Sequence, residues 1–114
     1  MPYISTKTNI ELAKEKQDAL AAEYGRIISL VPGKTERWLM LSFDDKISMY
    51  FGGKGDEPMA YIELSLFGGA SDAVYGKLTA AICDAVSAET GIAPANIYVK
   101  YEEAEHWGWN GSNF

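Results

Sequence analysis

Apolar and polar side chains alternate with period two in four stretches, Tyr3 to Lys7, Trp38 to Phe43, Met59 to Phe67 and Ile97 to Tyr101, and each predicts a β-strand. Leu39/Leu41/Phe43, Ala60/Ile62/Leu64/Leu66 and Ile97/Val99/Tyr101 are the apolar rows, which predict one buried sheet face. Between the strands the apolar spacing lengthens to three and four. Leu20, Tyr24, Ile27, Ile28 and Val31 form one such stripe, and Val74, Leu78, Ile82, Ala85 and Val86 form another, so two amphipathic helices are expected. Punctuation supports them. Thr8-Asn9-Ile10-Glu11 has the S/T-x-x-E form of a capping box ahead of the first helix, and Pro32-Gly33 closes it. Ser71 is placed to cap the second helix, with Gly91 at its C-terminus and Pro94 shortly after.

The two halves match. An offset of 58 residues sets Ile4 against Ile62, Leu20 against Leu78, Tyr24 against Ile82, Ile28 against Val86, Leu39 against Ile97, Leu41 against Val99, Phe43 against Tyr101 and Gly33 against Gly91. The likeness lies in periodicity and punctuation, since identical letters are few. Each half reads strand, helix, strand, and a helix between two strands implies a parallel crossover. The expected fold is therefore α+β: a single domain over residues 1–114 with pseudo-repeats about 2–57 and 58–114. Two βαβ repeats form one four-stranded mixed sheet with two helices on one face. The opposite face carries Tyr3/Ser5/Lys7, Met59/Tyr61/Glu63/Ser65 and Asn96/Tyr98/Lys100, too apolar for open solvent and too polar for a core. Such a face suits another copy of the chain, and a homo-oligomer of closed symmetry is expected.

Composition narrows the function. A chain of 114 residues buries roughly 60 to 70% of its unfolded surface, enough for a core without staples. The formal net charge is -6 and the ten basic residues are scattered, which argues against nucleic acid as a partner. No apolar run nears the roughly 20 residues that span a bilayer, and the residues from Met1 to Lys7 lack the character of a signal peptide, so a cytoplasmic protein without a membrane partner is expected. Cys83 is the only cysteine and His106 the only histidine, so no disulfide, metal site or cofactor is indicated; Cys83 reads as a small buried hydrophobe. The run Phe51-Gly52-Gly53-Lys54-Gly55-Asp56 lacks P-loop spacing and reads as a turn between strands, as does Phe67-Gly68-Gly69 between strand and helix. The acidic cluster Asp44-Asp45 and Glu102-Glu103-Glu105 reads as solvated strand ends.

Pro2 carries the most chemistry for its position. Loss of an initiator methionine is expected when the second residue is small, and it leaves proline with a free secondary amine. Desolvation or a nearby cation lowers the pKa of such an amine and keeps it neutral and basic at pH 7; Lys34 is a candidate for that cation.

The closing run Gly108-Trp109-Asn110-Gly111-Ser112-Asn113-Phe114 resembles the ending of the macrophage migration inhibitory factor family, in the tautomerase superfamily. Met1-Pro2, Thr8-Asn9, Gly33-Lys34, Phe51-Gly52-Gly53, Glu57-Pro58 and Ile97-Tyr98 follow that family's order and nearly its spacing. The resemblance implies a homotrimer with intersubunit sites and a cofactor-independent isomerase acting on small aromatic α-keto acids of phenylpyruvate or dopachrome type. It assigns Pro2 the proton transfer and Lys34 the substrate carboxylate. It puts Phe67 at the pocket floor with its backbone N–H facing substrate, and it has Tyr98 donated by the neighbouring subunit. Trp38, Trp107, Trp109 and Phe114 fall near apolar positions at the mouth. Departures bear on specificity: Ser65 stands for a histidine, Lys100 for an asparagine brought from the adjacent subunit, and Trp107 for an aliphatic residue. Met59-Ala60-Tyr61-Ile62 replaces the Cys-x-x-Cys of the mammalian cytokine, so thiol redox activity is not implied. The resemblance also admits an alternative, a cytokine-like or interaction trimer, released without a signal peptide to act on a receptor, whose pocket is vestigial or serves only to bind a ligand.

Overall fold

The computed structural model describes all residues from Met1 to Phe114. Strand β1 (Pro2–Thr8) leads to helix α1 (Lys14–Ile27) and strand β2 (Met40–Asp44); strand β3 (Ala60–Phe67) leads to helix α2 (Asp72–Thr90) and strand β4 (Ile97–Ala104). The sheet order is β2-β1-β3-β4. β1 pairs in parallel with β2 and β3 with β4, while β1 and β3 meet antiparallel in the centre, with Pro2 opposite Leu66 and Thr8 opposite Ala60. The two βαβ units and the mixed sheet expected from the 58-residue offset are thus present.

Alternation decides which face is inside. Ile4, Ile62, Leu64 and Leu66 point to the helices and join Leu20, Tyr24 and Ile28 with Leu78, Ile82 and Val86 in one core. Two threonines lie within the buried rows, and both are satisfied: Thr6 Oγ1 is 2.8 Å from the Tyr24 hydroxyl, and Thr8 Oγ1 donates to the Met59 carbonyl at 2.7 Å. Burial raises the Tyr24 phenol to about 12. In α2, Ser71 accepts from the Val74 N–H at 3.2 Å and Gly91 closes the helix in the left-handed conformation, as its place in the sequence predicts.

Several boundaries differ from the expected ones. Thr8 is not a helix cap. Its hydroxyl is used by Met59 and Ile10, and α1 begins only after Ala13, with no side-chain cap. Trp38 lies in a 3-10 turn, Glu36–Trp38, so β2 starts two residues later than the alternation suggested. Met59, expected on the outer face, is buried; its N–H donates to Asn9 Oδ1 at 2.9 Å, and the loop residues Met49 and Tyr50 share a pocket with it. Asn96 sits in a 3-10 turn ahead of β4, where its amide reaches the Pro58 carbonyl at 3.2 Å. Cys83 is half-buried against the core, not enclosed by it. A further hairpin, β5 (Gly108–Trp109) and β6 (Ser112–Asn113), turns through Asn110 and Gly111, both with positive φ. No helix is long and apolar enough to cross a membrane.

Candidate functional site

The site forms where the N-terminus, the loop after α1, the end of β3 and the C-terminal hairpin converge. Val31 accepts the Lys34 N–H at 3.0 Å, and Gly33 takes a positive φ that turns the chain after α1. Lys34 is left half-buried, and its Nζ donates to the Phe67 carbonyl at 3.3 Å. The Phe67 N–H in turn donates to the Met1 carbonyl at 3.1 Å. Lys34, Phe67 and the Met1-Pro2 junction are therefore stitched together, although 33 residues separate Lys34 from Phe67 along the chain.

Aromatic rings wall this space. Trp38 meets Trp109 edge-on with centroids 5.0 Å apart, Trp109 stacks on Phe114 at 6.4 Å, and Phe114 tilts against Phe67 at 5.7 Å. The hairpin makes this possible, because the Phe114 N–H donates to the Trp107 carbonyl at 3.0 Å and fixes the tail across the mouth. Two adjoining cavities result. The smaller, about 430 Å³, is lined by Lys34, Phe67, Trp38, Trp109, Phe114 and Met1. The larger, about 960 Å³, includes Pro2, Tyr3, Arg37, Ser65, Trp107 and His106, and it shares Met1, Trp38 and Trp109 with the smaller.

Electrostatics at the junction favour an uncharged amine. The Met1 α-amino group falls from 8.0 to about 6, first because burial strips its water, then because Lys34 donates a hydrogen bond that favours the neutral amine and its charge repels the protonated form. A neutral amine beside a fixed cation can take a proton from carbon while the cation holds an anionic substrate.

Eight of the ten expected site residues, Pro2, Lys34, Ser65, Phe67, Trp107, Trp109, Phe114 and Trp38, line one or both of these cavities. Tyr98 and Lys100 do not. Tyr98 is 61% exposed and tilts against Phe51, with centroids 5.0 Å apart, in a separate pocket of about 230 Å³. Lys100 turns to Glu102 at 2.7 Å and Glu63 at 3.7 Å, and those carboxylates raise its pKa. Among the polar residues of the larger cavity that sequence reasoning did not place in the site are Arg37, Tyr3 and Ser42. Arg37 sets its guanidinium carbon 5.1 Å from the Trp38 ring centroid. The hydroxyls of Tyr3 and Ser42 pair at 2.5 Å on the wall of the larger cavity. The adjacency of Arg37 to Trp38 was the available signal for the first; the other two depend on the pairing of β1 with β2.

Two βαβ units fused through an antiparallel centre, with the chain start buried among aromatic residues, define the tautomerase-superfamily fold. The chain belongs to the macrophage migration inhibitory factor family, whose model matches residues 1–114. Among solved structures, that of Leishmania major MIF2 is similar at 35% identity and TM-score 0.93, covering 100% of this chain and 97% of that one. The macrophage migration inhibitory factor of Toxoplasma gondii shares the fold at 24% identity and TM-score 0.85, with 98% and 99% of the two chains covered. So does Pt0534, described as inactivated by 2-oxo-3-pentynoate, at 18% identity and TM-score 0.82 over 96% and 93%. No curated protein sequence matches the chain.

Proposed function

We propose that the protein is a cofactor-independent isomerase that interconverts keto and enol forms of small aromatic α-keto acids of phenylpyruvate or dopachrome type, with Pro2 as general base after removal of Met1. One observation carries this reading: the chain start, Met1 and Pro2, lies on the wall of an aromatic-lined cavity beside Lys34, in surroundings that lower the Met1 amine to about 6. Loss of Met1 transfers the free amine to Pro2, vacates part of the cavity and releases the Phe67 N–H from the Met1 carbonyl. The neutral amine then takes the proton alpha to the keto group and returns it to the other end of the enolate. Lys34 holds the carboxylate, the freed Phe67 N–H stabilises developing negative charge, and Trp38, Trp109 and Phe114 grip the ring.

The active assembly in this proposal is a homotrimer, with Tyr98 and Lys100 reaching the site of a neighbouring copy. Supporting it, both sheet edges are free of partners, and Met40 on β2 and Tyr98 on β4 are 69% and 61% exposed. The test follows the ultraviolet absorbance of 4-hydroxyphenylpyruvate during tautomerisation, using protein whose intact mass confirms loss of methionine. Pro2→Gly and a methionine-retaining form are expected to be slower by about two to four orders of magnitude, the usual range for general-base catalysis. If processed wild-type protein is no faster than buffer, the isomerase reading fails and an interaction protein with a vestigial or ligand-only pocket takes its place.

A further inference from the structure

The larger cavity holds a cation that the reaction above does not use. Arg37 sits on the 3-10 turn Glu36–Trp38, three residues after Lys34, and the two face adjoining cavities that share the walls Met1, Trp38 and Trp109. The Arg37 guanidinium lies against the Trp38 ring, with its carbon 5.1 Å from the centroid, and makes no hydrogen bond or ion pair within its own chain. The chain's other arginine, Arg26, is paired with Glu23. The carboxylates on the same cavity wall are already engaged: Glu102 with Lys100 at 2.7 Å, and Glu103 with the Tyr75 hydroxyl at 2.6 Å. In a chain of net charge -6, an exposed guanidinium on a cavity wall with no acidic partner in its own chain is free to receive a carboxylate, and its planar fork suits a bidentate one. Stacking on Trp38 restrains the side chain and leaves the N–H edges free.

We propose that Arg37 is a specificity-determining residue that receives the second carboxylate of a dianionic substrate, an aromatic α-keto acid whose ring carries a carboxylate at the end remote from the keto group. Lys34 takes the keto-acid carboxylate in the smaller cavity, the ring crosses the Trp38–Trp109 wall, and Arg37 takes the far carboxylate in the larger one. The proposal deepens the isomerase reading and rests on it for the placement of the first carboxylate.

The experiment compares phenylpyruvate with 4-carboxyphenylpyruvate as substrates of methionine-processed wild type, Arg37→Gln and Arg37→Lys. It runs beside a binding titration of phenylacetate and 4-carboxyphenylacetate read by tryptophan fluorescence. Arg37→Gln is expected to raise KM for the diacid about fivefold, the upper end for a solvent-accessible ion pair, while kcat and the phenylpyruvate constants stay within about twofold. Arg37→Lys is expected to restore part of the difference, and raised salt to erase it. The unchanged phenylpyruvate rate is the control for folding. Equal losses on both substrates, or no loss on either, overturn the proposal while leaving the isomerase reading intact. If neither keto acid is turned over yet wild type still binds the ring diacid more tightly in an Arg37-dependent way, the isomerase reading fails and the Arg37 site stands.

Discussion

Replacing Lys34 with methionine keeps most of the side-chain volume and removes the charge, so it isolates what the cation does to the N-terminal amine. In the methionine-bearing chain that amine drops from 8.0 to about 6. At pH 7 a group with pKa 6 is about 91% neutral and one with pKa 8 about 9%, so the environment changes the basic population about tenfold. Burial is the largest cause, followed by the hydrogen bond and the repulsion from Lys34. Lys34→Met therefore raises the pKa only part of the way towards 8.0. The assay is acetylation of the protein at a series of pH values, with the N-terminal peptide quantified by mass spectrometry. Methionine-retaining wild type is expected to show half-maximal labelling near pH 6, and methionine-retaining Lys34→Met a midpoint between about 6 and 8.0. A wild-type midpoint at 8.0, or identical midpoints in both proteins, would refute the electrostatic argument. The linkage has a definite sign as well. Because the folded amine has the lower pKa, the unfolded chain binds more protons between about 6 and 8.0, and this group's contribution to stability grows as pH rises through that window.

Two further outcomes test the fold that carries the site. Ile82→Ala opens a hole between α2 and the sheet where the residue is fully buried, and urea denaturation is expected to show a loss of about 2–5 kcal/mol. Tyr24→Phe removes the hydroxyl 2.8 Å from Thr6 Oγ1 in the buried interior, and the stranded threonine is expected to reduce stability by about 1–3 kcal/mol. The double change Tyr24→Phe with Thr6→Val is expected to recover part of that loss, since it leaves no polar group unpaired.

The amino-acid order alone determined the parts that local periodicity encodes. Ile62, Leu64 and Leu66 alternate because one sheet face is covered, and Leu78, Ile82 and Val86 recur at helical spacing because one helix face is, so four strands, two helices and their repeat were legible from burial pattern alone. Ser71 and Gly91 were legible for a similar reason, since caps act within a turn of themselves. The Thr8-to-Glu11 signature misled because its threonine is claimed by Met59, a residue 51 positions away on the neighbouring segment. The β5–β6 hairpin was not among the expected elements, because its two-residue strands carry no period; the Asn110-Gly111 turn was the one local signal available. Family resemblance placed Pro2, Lys34 and Phe67 in one site, but no spacing did. The juxtaposition comes from the antiparallel register of β1 on β3, which sets Pro2 opposite Leu66, and from the loop after α1 that lays Lys34 against the end of β3. Whether Arg37 meets an acid or stays free, and whether Lys100 faces Pro2 or Glu102, depends on which strands become neighbours. That is a matter of long-range packing, and only the tertiary structure decided it.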